Sequence, residues 1–174
     1  DYNWGYVATT DGLLFGSSVR SGNFYTEGRG PWYDDSGFNN AQDSHKVLSD
    51  CLFAVDLDEN NQAWKYNGVI INSTIAIGGG LIYFVENRNP KVLQDKSRRL
   101  SGGKEWMALY LVALDVKTGK PVWEKGMQFE QRTPVFFSTY KEDILMLLRS
   151  STKSFDLRAI DAKSGKLIDR KSVV

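Results

Sequence analysis

Short apolar segments separated by polar turns run the length of the chain, and their alternation favours strands over helices. Val7–Ser18 reads VATTDGLLFGSS, an extended segment, an Asp11-Gly12 turn and a second apolar segment. Asp-Gly supplies the positive φ angles that a tight hairpin needs. Ser73–Asn87 repeats the idea as STIAIGGGLIYFVEN with Gly78–Gly80 at the turn, and Thr133–Ser150 as TPVFFSTYKEDILMLLRS with Tyr140–Asp143 at the turn. In Leu109–Leu114 and Phe155–Ile160 the apolar positions follow a mostly period-two pattern with β-branched or aromatic residues, which predicts two further strands.

Three segments also align without a gap: AVDLDENNQAW at Ala54–Trp64, ALDVKTGKPVW at Ala113–Trp123 and AIDAKSGKLID at Ala159–Asp169. Each reads Ala, an apolar residue, Asp and a polar turn. Gly119 and Gly165 mark the turn in two copies, and Asn60-Asn61-Gln62 takes that place in the first; Asn tolerates the left-handed conformation. A hairpin followed by such a segment makes a four-stranded meander, and the unit occurs three times. The expected units span residues 5–66 with an insertion at 19–50, 67–126 with an insertion at 88–106, and 127–174, where the same connection shrinks to Ser151–Ser154. Insertions confined to one connection are tolerated because that loop leaves the sheet at a face.

The pattern Ala-x-Asp-x-x-Thr-Gly-Lys-x-x-Trp, complete at Ala113–Trp123, resembles the tryptophan-docking motif of the pyrroloquinoline-quinone (PQQ) type β-propellers. The resemblance implies an all-β fold of three four-stranded antiparallel blades belonging to a larger propeller of about seven or eight. It implies that Trp64 and Trp123 pack between neighbouring blades against Ala54, Ala113 and Ala159 and the turn glycines Gly119 and Gly165. The first copy lacks the Gly and the third has Asp169 in the Trp position. A Trp buries about 150–250 Å², which suits a wedge between sheets. Three blades leave two apolar sheet faces to cover, and the chain opens at Asp1 without a charged-then-apolar leader. The expectation is part of a longer protein, whose remaining blades, or another chain, are its partners. The family implies a periplasmic or extracellular location.

Charge and composition narrow the classes. Lys+Arg number 22 and Asp+Glu 21, for a net charge of +1, which argues against a dedicated nucleic-acid binder. No apolar run approaches the length of a membrane span. Cys51 is the sole cysteine and His45 the sole histidine, so an internal disulfide and a multi-cysteine or multi-histidine metal site are excluded within this chain; no metal site is expected. Asp56–Asn60 imitates a calcium loop but has Asn61 where Gly is required.

In a four-stranded meander the connection between strands two and three shares a face with the passage from blade to blade. Both insertions therefore meet beside residues 67–73 and 127–133, and a protein or small-molecule ligand is expected at that face. Arg29 and Trp32 are the candidate anchors of the first insertion, since aromatic and Arg residues on loops commonly anchor interfaces; its glycines equally suit an irregular loop. Glu86, Asn87 and Arg88 end the second strand of the second blade. They suit an acidic or polyol ligand, and equally an end-of-strand polar cluster. No catalytic residue stands out. The family's dehydrogenases carry adjacent cysteines above the quinone, and carboxylates with an Asn around a calcium ion. With one cysteine here, no cofactor is expected unless the complete propeller supplies the missing PQQ and calcium ligands. The preferred reading is a non-catalytic ligand- or protein-binding scaffold of an exported protein. The alternatives are part of a PQQ-dependent alcohol or sugar dehydrogenase, and an envelope assembly scaffold.

Overall fold

A computed structural model describes residues 1–21, 46–96, 98–100, 103–127, 136–150 and 154–173. The strands are β1 (Tyr2–Thr10), β2 (Leu13–Arg20), β3 (Lys46–Asp56), β4 (Asn61–Gly78), β5 (Leu81–Asn87), β6 (Arg99–Leu100), β7 (Leu109–Asp115), β8 (Pro121–Met127), β9 (Phe136–Lys141), β10 (Ile144–Ser150), β11 (Phe155–Asp161) and β12 (Leu167–Val173). A short helix α1 (Pro90–Gln94) and a 3-10 turn (Gly103–Trp106) flank β6. One antiparallel sheet runs β1-β2-β3-β4-β5-β7-β8 with β6 on β3, and a second runs β12-β11-β10-β9.

These are the three meanders read from the repeat, with one difference. The first two share β4, which pairs with β3 as far as Ile71 and with β5 from Ile70 onward. The division drawn between residues 66 and 67 thus falls inside a continuous strand.

The repeated Asp has a local cause. Asp56 Oδ1 accepts the N–H groups of Asp58 and Glu59, both at 2.9 Å. Asp115 Oδ1 accepts the N–H and hydroxyl of Thr118, both at 2.8 Å, and Asp161 Oδ1 accepts the N–H of Ser164 at 2.8 Å. Each carboxylate closes the turn that returns the chain into its fourth strand. The next requirement is a left-handed residue, met by Asn60 (φ 52°), Gly119 (66°) and Gly165 (69°).

Glycine does a second job there. The Trp64 ring lies on Gly119, where an added Cβ would fall 2.5 Å from it, and Trp123 lies on Gly165, where the distance would be 2.7 Å. Trp64 Nε1 donates to the Val116 carbonyl at 2.8 Å and Trp123 Nε1 to the Ala162 carbonyl at 2.9 Å. Opposite each Trp in its own ladder is a motif alanine, Ala54 or Ala113; Ala159 faces Asp169 instead.

Two cores result. Phe15, Leu52, Trp64, Ile82, Phe84, Val112 and Leu114 fill the space between the first and second meanders. Tyr83, Val85, Leu111, Ala113, Phe136, Leu145, Leu147 and Ile160 fill that between the second and third. Alternate residues of β5 and β7 enter opposite cores, so the middle blade is covered on both faces. Leu109–Leu114 is consequently buried almost throughout, and the period-two exposure expected there is absent because neither face meets water. The second insertion is packed as well: Val92, Leu100 and Trp106 join the second core.

The docking contact makes a testable contrast. Gly12 has φ +77° with nothing within 4 Å of an added Cβ, so Gly12→Ala carries only left-handed strain, about 1 kcal/mol. Gly119→Ala adds a clash with Trp64 and is expected to lose about 1–3 kcal/mol more, measured from denaturant midpoints of the two variants.

Candidate functional site

The end of β2, the start of β3 and the connection that follows β5 meet on one face. Asp50 is their junction: it accepts Arg20 Nε and Arg98 Nε on its two oxygens, and the Tyr2 hydroxyl at 3.2 Å. Arg98 Nη1 also donates to the carbonyls of Val92, Leu93 and Asp95 at 2.7, 2.8 and 3.2 Å, collecting the unsatisfied acceptors at the end of α1. The opposite end of that helix is capped by Asn89, whose side chain accepts from the Lys91 N–H at 3.0 Å. β6 pairs with the start of β3, Lys46 opposite Leu100, so the second insertion is fastened to the root of the first. Burial pushes the Asp50 carboxyl up, but the hydrogen bonds and charges of Arg20 and Arg98 outweigh it and hold the group below its ordinary value.

Of the ligand candidates, Glu86, Asn87 and Arg88 lie at the end of β5, in the cleft between the first two blades. Arg88 Nε bonds Glu86 at 2.8 Å, while its two terminal nitrogens hold both oxygens of Glu124 at 3.2 and 2.8 Å. Tyr66 donates to Glu86 at 3.1 Å across the cleft, and the guanidinium lies 4.2 Å above the Tyr110 ring. The Arg88 bond holds the Glu124 carboxyl below its ordinary value. Burial, with the Glu86 charge beside it, pushes the Tyr66 phenol up to about 12. Gly68 makes room for this arrangement, since a Cβ there would fall 2.5 Å from Glu86 Oε1.

Asn87 does something else. It is 0% exposed, donates to the Glu105 carbonyl at 2.7 Å and accepts the Asn89 N–H at 2.9 Å, tying β5 to the insertion it begins. Arg29 and Trp32 lie outside the described residues, as does His45. Tyr66, Tyr110 and Glu124 complete the cluster but were not singled out in the sequence; the one available signal was their fixed offset from the docking Trp and Ala. Asp50 carried no local signal.

These donors do not fit a calcium-bound quinone. Glu86 is bonded to Arg88 and Tyr66, both ends of the Asn87 amide are used within the chain, and Cys51 is a lone buried thiol. Among the described residues no three His, Cys, Asp or Glu side chains come together to hold a metal ion. No helix among them is long and apolar enough to cross a membrane.

The Asp50 junction predicts an acid-sensitive contribution to stability. A carboxylate held below its unfolded value stabilises the fold above about pH 3.9 and loses that contribution as pH falls through the lower, folded value. Asp50→Asn is expected to cost about 1–3 kcal/mol at neutral pH. The gap to the unaltered protein should narrow in acid, as read from urea midpoints at the two pH values.

No protein-family model matches the sequence, and no curated protein matches it. Solved structures do. A quinohemoprotein alcohol dehydrogenase from Comamonas testosteroni matches with a TM-score of 0.54 at 16% identity, over 97% of this chain and 20% of that one. The quinohemoprotein alcohol dehydrogenase ADHIIG from Pseudomonas putida HK5 gives 0.54 at 13%, over 97% and 20%. The exotype rhamnogalacturonan lyase YesX gives 0.58 at 15%, over 95% and 32%. The chain therefore spans between a fifth and a third of these proteins, and identities this low speak to the fold alone. That fold is the β-propeller, and the antiparallel sheets of this chain have the architecture of a propeller segment.

Proposed function

We propose that the chain is a non-catalytic propeller scaffold of an exported protein, presenting its insertion face to a protein or small-molecule ligand. The observation that carries this reading is the Asp50 junction, which fastens the connection after β5 to the ends of β2 and β3 in the neighbouring blade. The described part of this face, Arg20, Asp50, Arg98 and α1, is preorganised, and preorganisation lowers the cost of binding. The Glu86–Arg88–Glu124 cluster supports the same reading, because its charged groups are bonded to one another within the second blade and to Tyr66 across the cleft. A general acid or base needs a group free to exchange a proton with substrate.

The other expected partners are further blades. Tyr2, Trp4 and Val7 are exposed on the first blade, and Ile144, Phe155, Leu167 and Ile168 on the third. Apolar side chains grouped at the two ends of a stack suit burial against neighbouring sheets.

Two measurements test the proposal. Adding PQQ with Ca²⁺ to the protein is expected to give no saturable quinone absorbance change and no dye-linked oxidation of alcohols or sugars. Saturable binding with turnover would replace the scaffold by a dehydrogenase. Replacing residues 22–45 with a short linker is expected to preserve cooperative unfolding and abolish capture of the protein's envelope partner. Undiminished capture by a folded variant would remove that loop from the interface.

A further inference from the structure

The cleft between the second and third blades repeats the Glu86 cluster with its charges reversed. Aligned on the Ala-x-Asp motif, the ladders put Arg149 where the previous blade has Glu86, and Arg170 where it has Glu124. Asp156 takes the place of Tyr110, and Arg158 that of Val112. Two carboxylates around one guanidinium thus become three guanidiniums around one carboxylate. Lys125, exposed on β8, follows Trp123 at the same offset as Tyr66 follows Trp64, so the facing blade adds another cation at this level.

Asp156 is 3% exposed and is the fixed point of the group. Its Oδ2 accepts Arg149 Nε at 3.0 Å and Arg158 Nη2 at 3.3 Å, and its Oδ1 accepts Arg170 Nε at 2.8 Å. The Arg170 side chain is 51% exposed, and its two terminal nitrogens have no partner among the described residues. We propose that this cluster is an oxyanion site, taking the carboxylate or phosphate group of a ligand on the open edge of Arg170 with Arg149 and Arg158 behind it.

The argument rests on charge and geometry. A buried carboxylate needs cationic partners, but a third, half-exposed guanidinium adds little to its desolvation balance and adds repulsion to the other two. Anchoring the Nε atoms on one carboxylate fixes the guanidinium planes and turns a terminal two-donor edge outward, the arrangement that grips oxyanions bidentately. An incoming anion would relieve the repulsion. The site is separate from the Asp50 junction and does not depend on the scaffold reading.

The test uses inorganic phosphate and citrate as probes, each against sodium chloride of equal ionic strength, with the full protein followed by calorimetric titration and thermal melting. Saturable binding of either anion, with a rise in melting temperature, is expected. Arg170→Gln should weaken it about tenfold, the worth of one charge-assisted contact, without lowering stability in chloride. Lys171→Gln, which removes a neighbouring exposed cation paired with Asp169, should leave the affinity unchanged. Preference for phosphate assigns a phosphoryl group, and preference for citrate a carboxylate. No saturable binding of either probe, or equal binding by Arg170→Gln, would overturn the proposal.

Discussion

Trp64 and Trp123 each rest on a glycine of the following blade, with the indole N–H bonded to a carbonyl of the same turn. The contact satisfies three demands together. The turn needs a left-handed residue, the indole needs a bare surface, and its buried donor needs an acceptor. Because the acceptor belongs to the turn that Asp115 or Asp161 closes, a tryptophan on one blade reads the backbone of the next. The spacing of the sheets, and with it the width of every cleft between them, follows from this seat.

Polar chemistry collects in those clefts toward the insertion face, where the distance set by the tryptophans leaves room for long side chains. One cleft is lined by carboxylates sharing Arg88 and the other by arginines sharing Asp156. The two are built on the same ladder positions, so the scaffold can change the sign of a cleft without changing its backbone. Further out, Asp50 does for the connections what the tryptophans do for the sheets, gathering elements that approach from different directions.

The repeat was legible because its causes are local. The bonds from Asp56, Asp115 and Asp161 reach two or three residues along the chain, and such contacts leave a periodic trace in composition. The cleft clusters left half a trace: Glu86 and Arg88 stood out as charges at a strand end, but their partners Tyr66 and Glu124 are 20 and 36 residues away. Asp50 left none, since Arg20 and Arg98 lie 30 and 48 residues from it on elements that meet only after folding. The mostly period-two reading of Leu109–Leu114 hid a different fact: the strand is covered on both faces, and its burial does not alternate.

Among the described residues, β4 is the one strand that belongs to two blades. Trp64, Tyr66 and Ile70 turn toward the first cleft, and Val69 and Ile71 enter the second core, before a bulge that ends at Ala76. Between Ile71 and Ala76 β4 advances five residues while β5 advances two, and the phase reverses: Ile70 and Ile75 share the first core, and Ile71 and Ala76 the second. Side chains alternate at every residue of a regular strand, so a residue gained or lost outside the bulge would exchange the contents of the two cores over that stretch. The bulge is where a change of length is taken up. The shared strand thus confines insertion and deletion between the first two blades to one short irregular stretch.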